Sequence, residues 1–343
     1  MSMVPPTRTY VDRGIEHRKA GEFRFAEMAL TTALTLYKEA RDPRGEADAL
    51  VELSQVQYAM GASSAAAAHL SRAIALYRSL GDRLGEARAL DSLGTVRHLT
   101  GDCAGALESF AAARALFERE RDRPGMARAA KNLGFAHYLS GDFPPAQEHL
   151  GAALVLFTEL GDRLGTANAL KNLGVVQQLT GDLDGAYGTL TEALSVYREL
   201  GSRMGSVNAL TCLTVVQYRT GDLVAARSSA QEAMEVAREL PYPVGEADAL
   251  RELGFVAYLD GDPEGGVKLL EQALELFEAT GDRLGQIEAL NRLGTVLLDG
   301  RNAPEAALAA FRAAHELAQA AGSKHEGARA AEGITRCQKI SGS

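Results

Sequence analysis

The residues of this 343-residue chain with most chemistry to offer are its 7 histidines, 3 cysteines and 45 carboxylates. His17, His69, His98, His137, His149, His315 and His325 are scattered, and no two stand four apart, the helical spacing that presents two rings to one metal ion. Cys103, Cys212 and Cys337 form no CxxC pair, so neither a zinc site nor a disulfide framework is expected. A nucleophilic cysteine would need an adjacent base, and Cys212 reads better as a small buried or lining residue. There is no GxxxxGK[ST] phosphate loop, no GxSxG elbow and no HExxH pair. Carboxylate pairs abound, as they do on the solvated face of any acidic helical protein. The expectation is a non-enzyme with no metal and no cofactor.

The balance of charge narrows the partners. A formal net charge of −9 argues against a general nucleic-acid binder, which carries a basic excess. No run of about 18 apolar residues is present, so no transmembrane helix is expected. The start, Met1 to Thr7, holds two prolines and no apolar stretch, so it does not read as a signal peptide. Together with the cysteine usage this points to a cytoplasmic protein without a membrane partner. Apolar residues are 46% of the chain but aromatics only 6%, and Trp is absent. Such small side chains suit helices packed closely at many similar interfaces.

The elements that hold these residues repeat every 40 positions. Gly45, Gly85, Gly125, Gly165, Gly205, Gly245 and Gly285 form one ladder, and Gly21, Gly61, Gly101, Gly141, Gly181, Gly221 and Gly261 another. Leu53 to Leu293 form a third at the same spacing, and one extra residue enters near Arg301 before it resumes at Ile334 and Gly342. Within one unit, Leu84, Ala87, Leu90, Leu93, Val96 and Leu99 recur every three residues, a helical spacing. Gly81 followed by Asp82 reads as a helix stop and an N-cap, and Gly101-Asp102 repeats the device. Ala106, Leu107, Phe110, Ala113, Leu116 and Phe117 then line one face of a second helix. Each unit is two antiparallel helices of about 25 Å, which bury their apolar stripes by stacking on neighbours. Ala26, Ala66, Ala106, Ala146, Ala186 and Ala226 fall where the paired helices should cross most closely.

Leu93-Gly94, Gly101-Asp102, Ala106, Phe110 and Ala113 have the order and spacing of the tetratricopeptide signature, and Leu133-Gly134 and Leu173-Gly174 repeat it. The chain resembles that family over about residues 7 to 342. It departs in lacking the tryptophan of the first helix, where Leu90 and Leu170 stand, and in a period of 40 rather than 34. Units of this length resemble those of spindle-orientation adaptors, kinesin light chains and actinobacterial regulatory proteins with signalling NTPase domains. The resemblance implies an all-α fold, a right-handed superhelical solenoid of antiparallel helix pairs. Residues 1–6 would be a disordered tail, and 7–343 a single solenoid of about eight helix pairs. Residues 7–40 would cap one end, and a helix near 324–340 would cap the other or continue into a longer protein.

In that family the first helix of each pair lines a concave groove. The inner positions implied here include Arg88, Asp91, Ser92, Thr95 and His98, then Arg128, Lys131, Asn132, Phe135 and Tyr138. Asn168, Lys171, Asn172, Val175 and Gln178 follow, then Asn208, Thr211, Cys212, Val215 and Tyr218. Arg88, Arg128, Lys131, Asn132, Tyr138, Asn168, Lys171, Asn172, Asn208, Tyr218 and Arg251 are the candidate peptide-binding residues. Asparagine amides can satisfy both backbone N–H and C=O groups of an extended chain, and Tyr58, Tyr138, Tyr218 and Tyr258 would add stacking surface. Against this stands ordinary packing of the tyrosines and solvation of the charges. Farther on, Asp248, Arg251, Glu252, Glu288, Asn291 and Arg292 mix both signs, so that end either meets another domain or pairs internally. The implied function is a non-catalytic scaffold for a protein or for an acidic or extended peptide, serving as the regulatory or sensor module of a bacterial regulator. The alternatives are a receptor enclosing a small signal molecule or short pheromone, and an accessory that presents a partner's substrate to an enzyme.

Overall fold

Aspartate and glycine set the helix ends that the sequence marks. The computed structural model describes residues 7–100, 102–240 and 242–341, with every side chain there except those of Leu99 and Ser341. The expected tail 1–6, the helix stop at Gly101 and the ladder position Gly342 lie outside the described residues. The chain forms two compact units, one running to Ala136 and the other from His137. All regular structure among the described residues is helical.

Unit 1 contains α1 (Thr7–Lys19), α2 (Phe23–Glu39), α3 (Pro43–Ala59), α4 (Ser63–Leu80), α5 (Arg83–Leu99) and α6 (Cys103–Arg119). The division falls in the last turn of α7 (Arg123–Leu139). Unit 2 contains α8 (Phe143–Glu159), α9 (Arg163–Thr180), α10 (Leu183–Glu199), α11 (Arg203–Arg219) and α12 (Leu223–Arg238). It continues with α13 (Pro243–Leu259), α14 (Pro263–Thr280), α15 (Arg283–Thr295), α16 (Pro304–Ala321) and α17 (Lys324–Ser341). Consecutive helices pack on one another from α1 to α6 in unit 1 and from α8 to α17 in unit 2, so each unit is a stack of helical hairpins of the solenoid type.

The caps follow the aspartate pattern. The carboxylates of Asp82, Asp162, Asp182 and Asp282 each accept from the backbone N–H three residues on, at 2.8–3.0 Å. The alanine seam is closed as expected: Ala26, Ala66 and Ala106 in unit 1 and Ala146, Ala186 and Ala226 in unit 2 are all 0% exposed.

A glycine ladder finds its cause in ring packing. A Cβ on Gly85 would stand 2.4 Å from the Tyr77 ring, and one on Gly165 would stand 2.3 Å from Phe157. In most pairs an aromatic side chain near the end of the second helix thus packs against the glycine that opens the next pair. Position 237 carries Ala instead, and the neighbouring Tyr242 takes over, its ring 2.3 Å from a Cβ on Gly245. Tyr242 even repeats the hydrogen bond: its hydroxyl donates to Asn208 at 2.9 Å, as Tyr197 donates to Asn168 at 2.7 Å.

The extra residue near Arg301 is absorbed by a π-helical turn, Val296–Gly300, that continues α15. The Arg301 N–H reaches back five residues to Val296 at 3.1 Å. The left-handed turn position then falls one residue late, on Asn302 with φ of 50°. Among the described residues no helix is long and apolar enough to cross a membrane.

Candidate functional site

The odd-numbered helices present their polar faces where the sequence places the groove, and each unit uses that face differently. In unit 1, Asp91 on α5 is buried and takes two neighbours from α7. It accepts from Arg128 Nε and from Asn132 Nδ2, both at 2.9 Å. Arg128 also lies 5.5 Å over the Phe117 ring. Two of the four groove candidates in this unit are thus committed to a bridge between adjacent repeats. Arg88 is exposed and Lys131 half-buried.

In unit 2 the polar side chains converge. Arg251 on α13 is buried; its Nη1 meets Asp248 and Glu288, each at 2.9 Å, and its Nε donates to Glu252 at 3.0 Å. Glu252, 1% exposed, also holds Arg292 of α15 at 2.9 Å. Arg292 Nη1 donates to the Tyr218 hydroxyl at 2.8 Å and its guanidinium stacks 4.6 Å from the Phe255 ring. Asn291, 1% exposed, donates to Glu326 of α17 at 2.8 Å. The charges of this second half therefore pair internally.

Burial here outweighs pairing for two carboxylates. It pushes Asp248 up to about 6 and Glu288 up to about 7, although Arg251 pulls both back down. Arg251 itself is held charged: burial opposes its cation, but Glu288, Asp248 and Glu252 push its pKa higher still. Burial lifts the Cys212 thiol to about 11, against the pull of the nearby Lys171 cation. A thiol held protonated in this way is a poor nucleophile. The Tyr138 phenol is raised by burial and then by Glu288 and Glu326. Side chains of α7, α11, α13, α15 and α17 thus lie within electrostatic reach of one another in unit 2.

Of the remaining candidates, Asn168 and Asn208 spend their carbonyls on Tyr197 and Tyr242, which makes them anchors for aromatic packing. Tyr218 and Tyr258 both pack on Phe255, with ring centroids 5.3 and 5.6 Å away, so for these two the packing alternative holds. Lys171 and Asn172 are half-buried on α9. Glu326 is a further polar residue of this cluster, absent from the candidates above. Counting the inserted residue, Glu326 stands at the glycine-ladder position after Gly285, and Ala318 stands where Phe277 does. A large ring over glycine has become a small alanine beside a buried glutamate, 6% exposed. That swap was visible in the broken ladder. Among the described residues no three His, Cys, Asp or Glu side chains are grouped to hold a metal ion.

The tetratricopeptide repeat family model matches residues 85–159, 126–199 and 245–320, together more than half of the chain. A comparison with curated proteins gave no match. Among solved structures, the apo quorum sensor NprR from B. thuringiensis superposes with a TM-score of 0.69 at 12% identity, covering 91% of this chain and 87% of that one. The Rap conjugation gene regulator of plasmid pLS20, in complex with the Phr* peptide, gives 0.66 at 15% identity over 93% and 96%. A signal-transduction ATPase with numerous domains and a tetratricopeptide repeat sensor, from Pyrococcus horikoshii, gives 0.64 at 16% identity; the match covers 82% of this chain but 44% of that one. At such identities the likeness is one of fold.

Proposed function

The chain belongs to the tetratricopeptide repeat family, and from that premise we propose that it is a non-catalytic regulatory module that binds a short peptide on the inner face of unit 2. The observation that supports this is the grouping around Arg251, whose Nη1 meets Asp248 of α13 and Glu288 of α15 at 2.9 Å, with Lys171, Cys212 and Tyr138 within electrostatic reach of the same charges. Side chains drawn from so many helices suit a short ligand better than a broad protein surface. Asp248 and Glu288, destabilised as anions by burial, would gain from a cationic group of the ligand. Lys171 would meet an acidic one, and the Asn172 amide can bridge to a peptide backbone. The ligand is thus a peptide bearing both signs of charge, which refines the acidic peptide expected from the sequence. The Rap regulator of pLS20 was solved with a peptide and NprR is a quorum sensor, precedents for such a role on this fold.

Selection of short peptides from a random display library on the full chain tests this. Peptides that bind the wild type should carry both an acidic and a basic residue, and Lys171→Glu should weaken them about tenfold or more, the scale of one charge-assisted contact. No enrichment over the background, or equal binding to Lys171→Glu, would refute the proposal.

A further inference from the structure

A second concavity lies in unit 1; it takes in Tyr58, Ser92 and Thr95 of the inner face but none of the unit 2 residues proposed to meet the peptide. It is a pocket of about 390 Å³ among α1, α3 and α5, in the size range of small-molecule sites. Leu70 and Val96, both buried, close its depth, while Phe23 and Tyr58 give it aromatic walls.

Besides the Gln55 amide and the Tyr58 hydroxyl, which can each donate or accept, its hydrogen-bonding groups are of two kinds. The hydroxyls of Ser54, Ser92 and Thr95 donate to carbonyls of their own helices at 2.6, 3.1 and 3.1 Å. Their protons being used, these oxygens can offer the pocket only lone pairs. Arg18 supplies the converse. Its Nη2 reaches Glu52 at 3.3 Å, while its Nε is buried with no acceptor among the described residues. A buried N–H without a partner is costly, and a ligand that brings an acceptor recovers that cost. Arg18 is the only charged residue lining the pocket among those described, and Glu52 neutralises it.

We infer that this pocket binds an uncharged, flat aromatic group with an acceptor at one edge and a donor at the other. The ring lies against Phe23 and Tyr58, the acceptor meets Arg18 Nε, and the donor meets the Ser92 or Thr95 oxygen. Phenols carrying an amide have this chemistry, whether as free small molecules or as a tyrosine side chain within a peptide.

Calorimetric titration of the full chain with 4-hydroxyphenylacetamide, tyramine and 4-hydroxyphenylacetate separates the charge states of one skeleton. The neutral amide should bind at least tenfold more tightly than the cation or the anion. Arg18→Met, which keeps the apolar stem, should weaken the amide about tenfold. Ala59→Phe, at an exposed position on the pocket wall, should abolish binding while the melting temperature stays unchanged. A blocked Gly-Tyr-Gly peptide distinguishes the sources: tighter binding than the free amide assigns a peptide side chain, weaker binding a free small molecule, and either supports the chemistry. The inference is overturned if no neutral probe binds, if a charged analogue binds more tightly, or if Ala59→Phe binds as the wild type does.

Discussion

At Arg41 and Arg121 the backbone takes φ of 52° and 56°, where the equivalent turns of other repeats hold Gly81, Gly161 and Gly201. A left-handed residue with a Cβ costs about 1–2 kcal/mol, while glycine returns about 0.5–1 kcal/mol through the entropy of the unfolded chain. Arg121→Gly should therefore stabilise the protein by about 0.5–1 kcal/mol, read as a higher midpoint in urea; a lower midpoint would mean that the turn carries no strain. Glu288 and Asp248 make the opposite kind of residue-scale statement. Both are raised by burial, so the folded chain holds their protons more tightly than the unfolded one, and their contribution to stability falls as pH rises from the ordinary carboxylate range through about 7. Glu288→Gln mimics the protonated form. It should match the wild type near pH 5 and become more stable than it by about 1–3 kcal/mol near pH 8.5. Parallel urea-midpoint profiles for the two proteins would show that Glu288 titrates normally.

The helix hairpin is the element on which the sequence was most legible. Aspartate caps, left-handed glycines and the alanine seam each have one local cause and recur at one spacing, so they could be read without a structure. The glycine at the head of each pair was seen as a ladder, but its reason was not, because the ring that covers it comes from the preceding helix. Gly165→Ala should thus behave as overpacking: its Cβ would stand 2.3 Å from Phe157, at a cost of about 1–3 kcal/mol. A chemical-denaturation midpoint equal to that of the wild type would contradict it. The Tyr242 substitution for the aromatic missing at 237 follows the same logic and was equally hidden, since the compensating residue sits off the ladder. The π-helical turn at Val296–Gly300 was announced as one extra residue near Arg301, although periodicity could not say that a helix end would absorb it.

Across the whole molecule, the family resemblance located the inner helical faces, but the sequence could not say which side chains there pair with one another. Asp91 takes Arg128 and Asn132, Tyr197 and Tyr242 take Asn168 and Asn208, and Arg251 and Arg292 are enclosed by carboxylates. Apart from the local contacts of Arg251 with Asp248 and Glu252, these pairings join residues 29 to 41 positions apart, a distance set by repeat stacking and not by any local pattern. Lys171 and Asn172 on α9, with Asp248 and Glu288 at the rim of the enclosed cluster, are the groups proposed to meet a ligand. Such binding should weaken with salt wherever the charges reach solvent, since screening acts beyond about 10 Å at 0.1 M. The most direct measurement is the affinity of a display-selected peptide for the wild type and for the Lys171→Glu variant, with helicity and melting followed on both. At least a tenfold loss of affinity with melting unchanged is expected; wild-type affinity in the folded variant would contradict the proposed site.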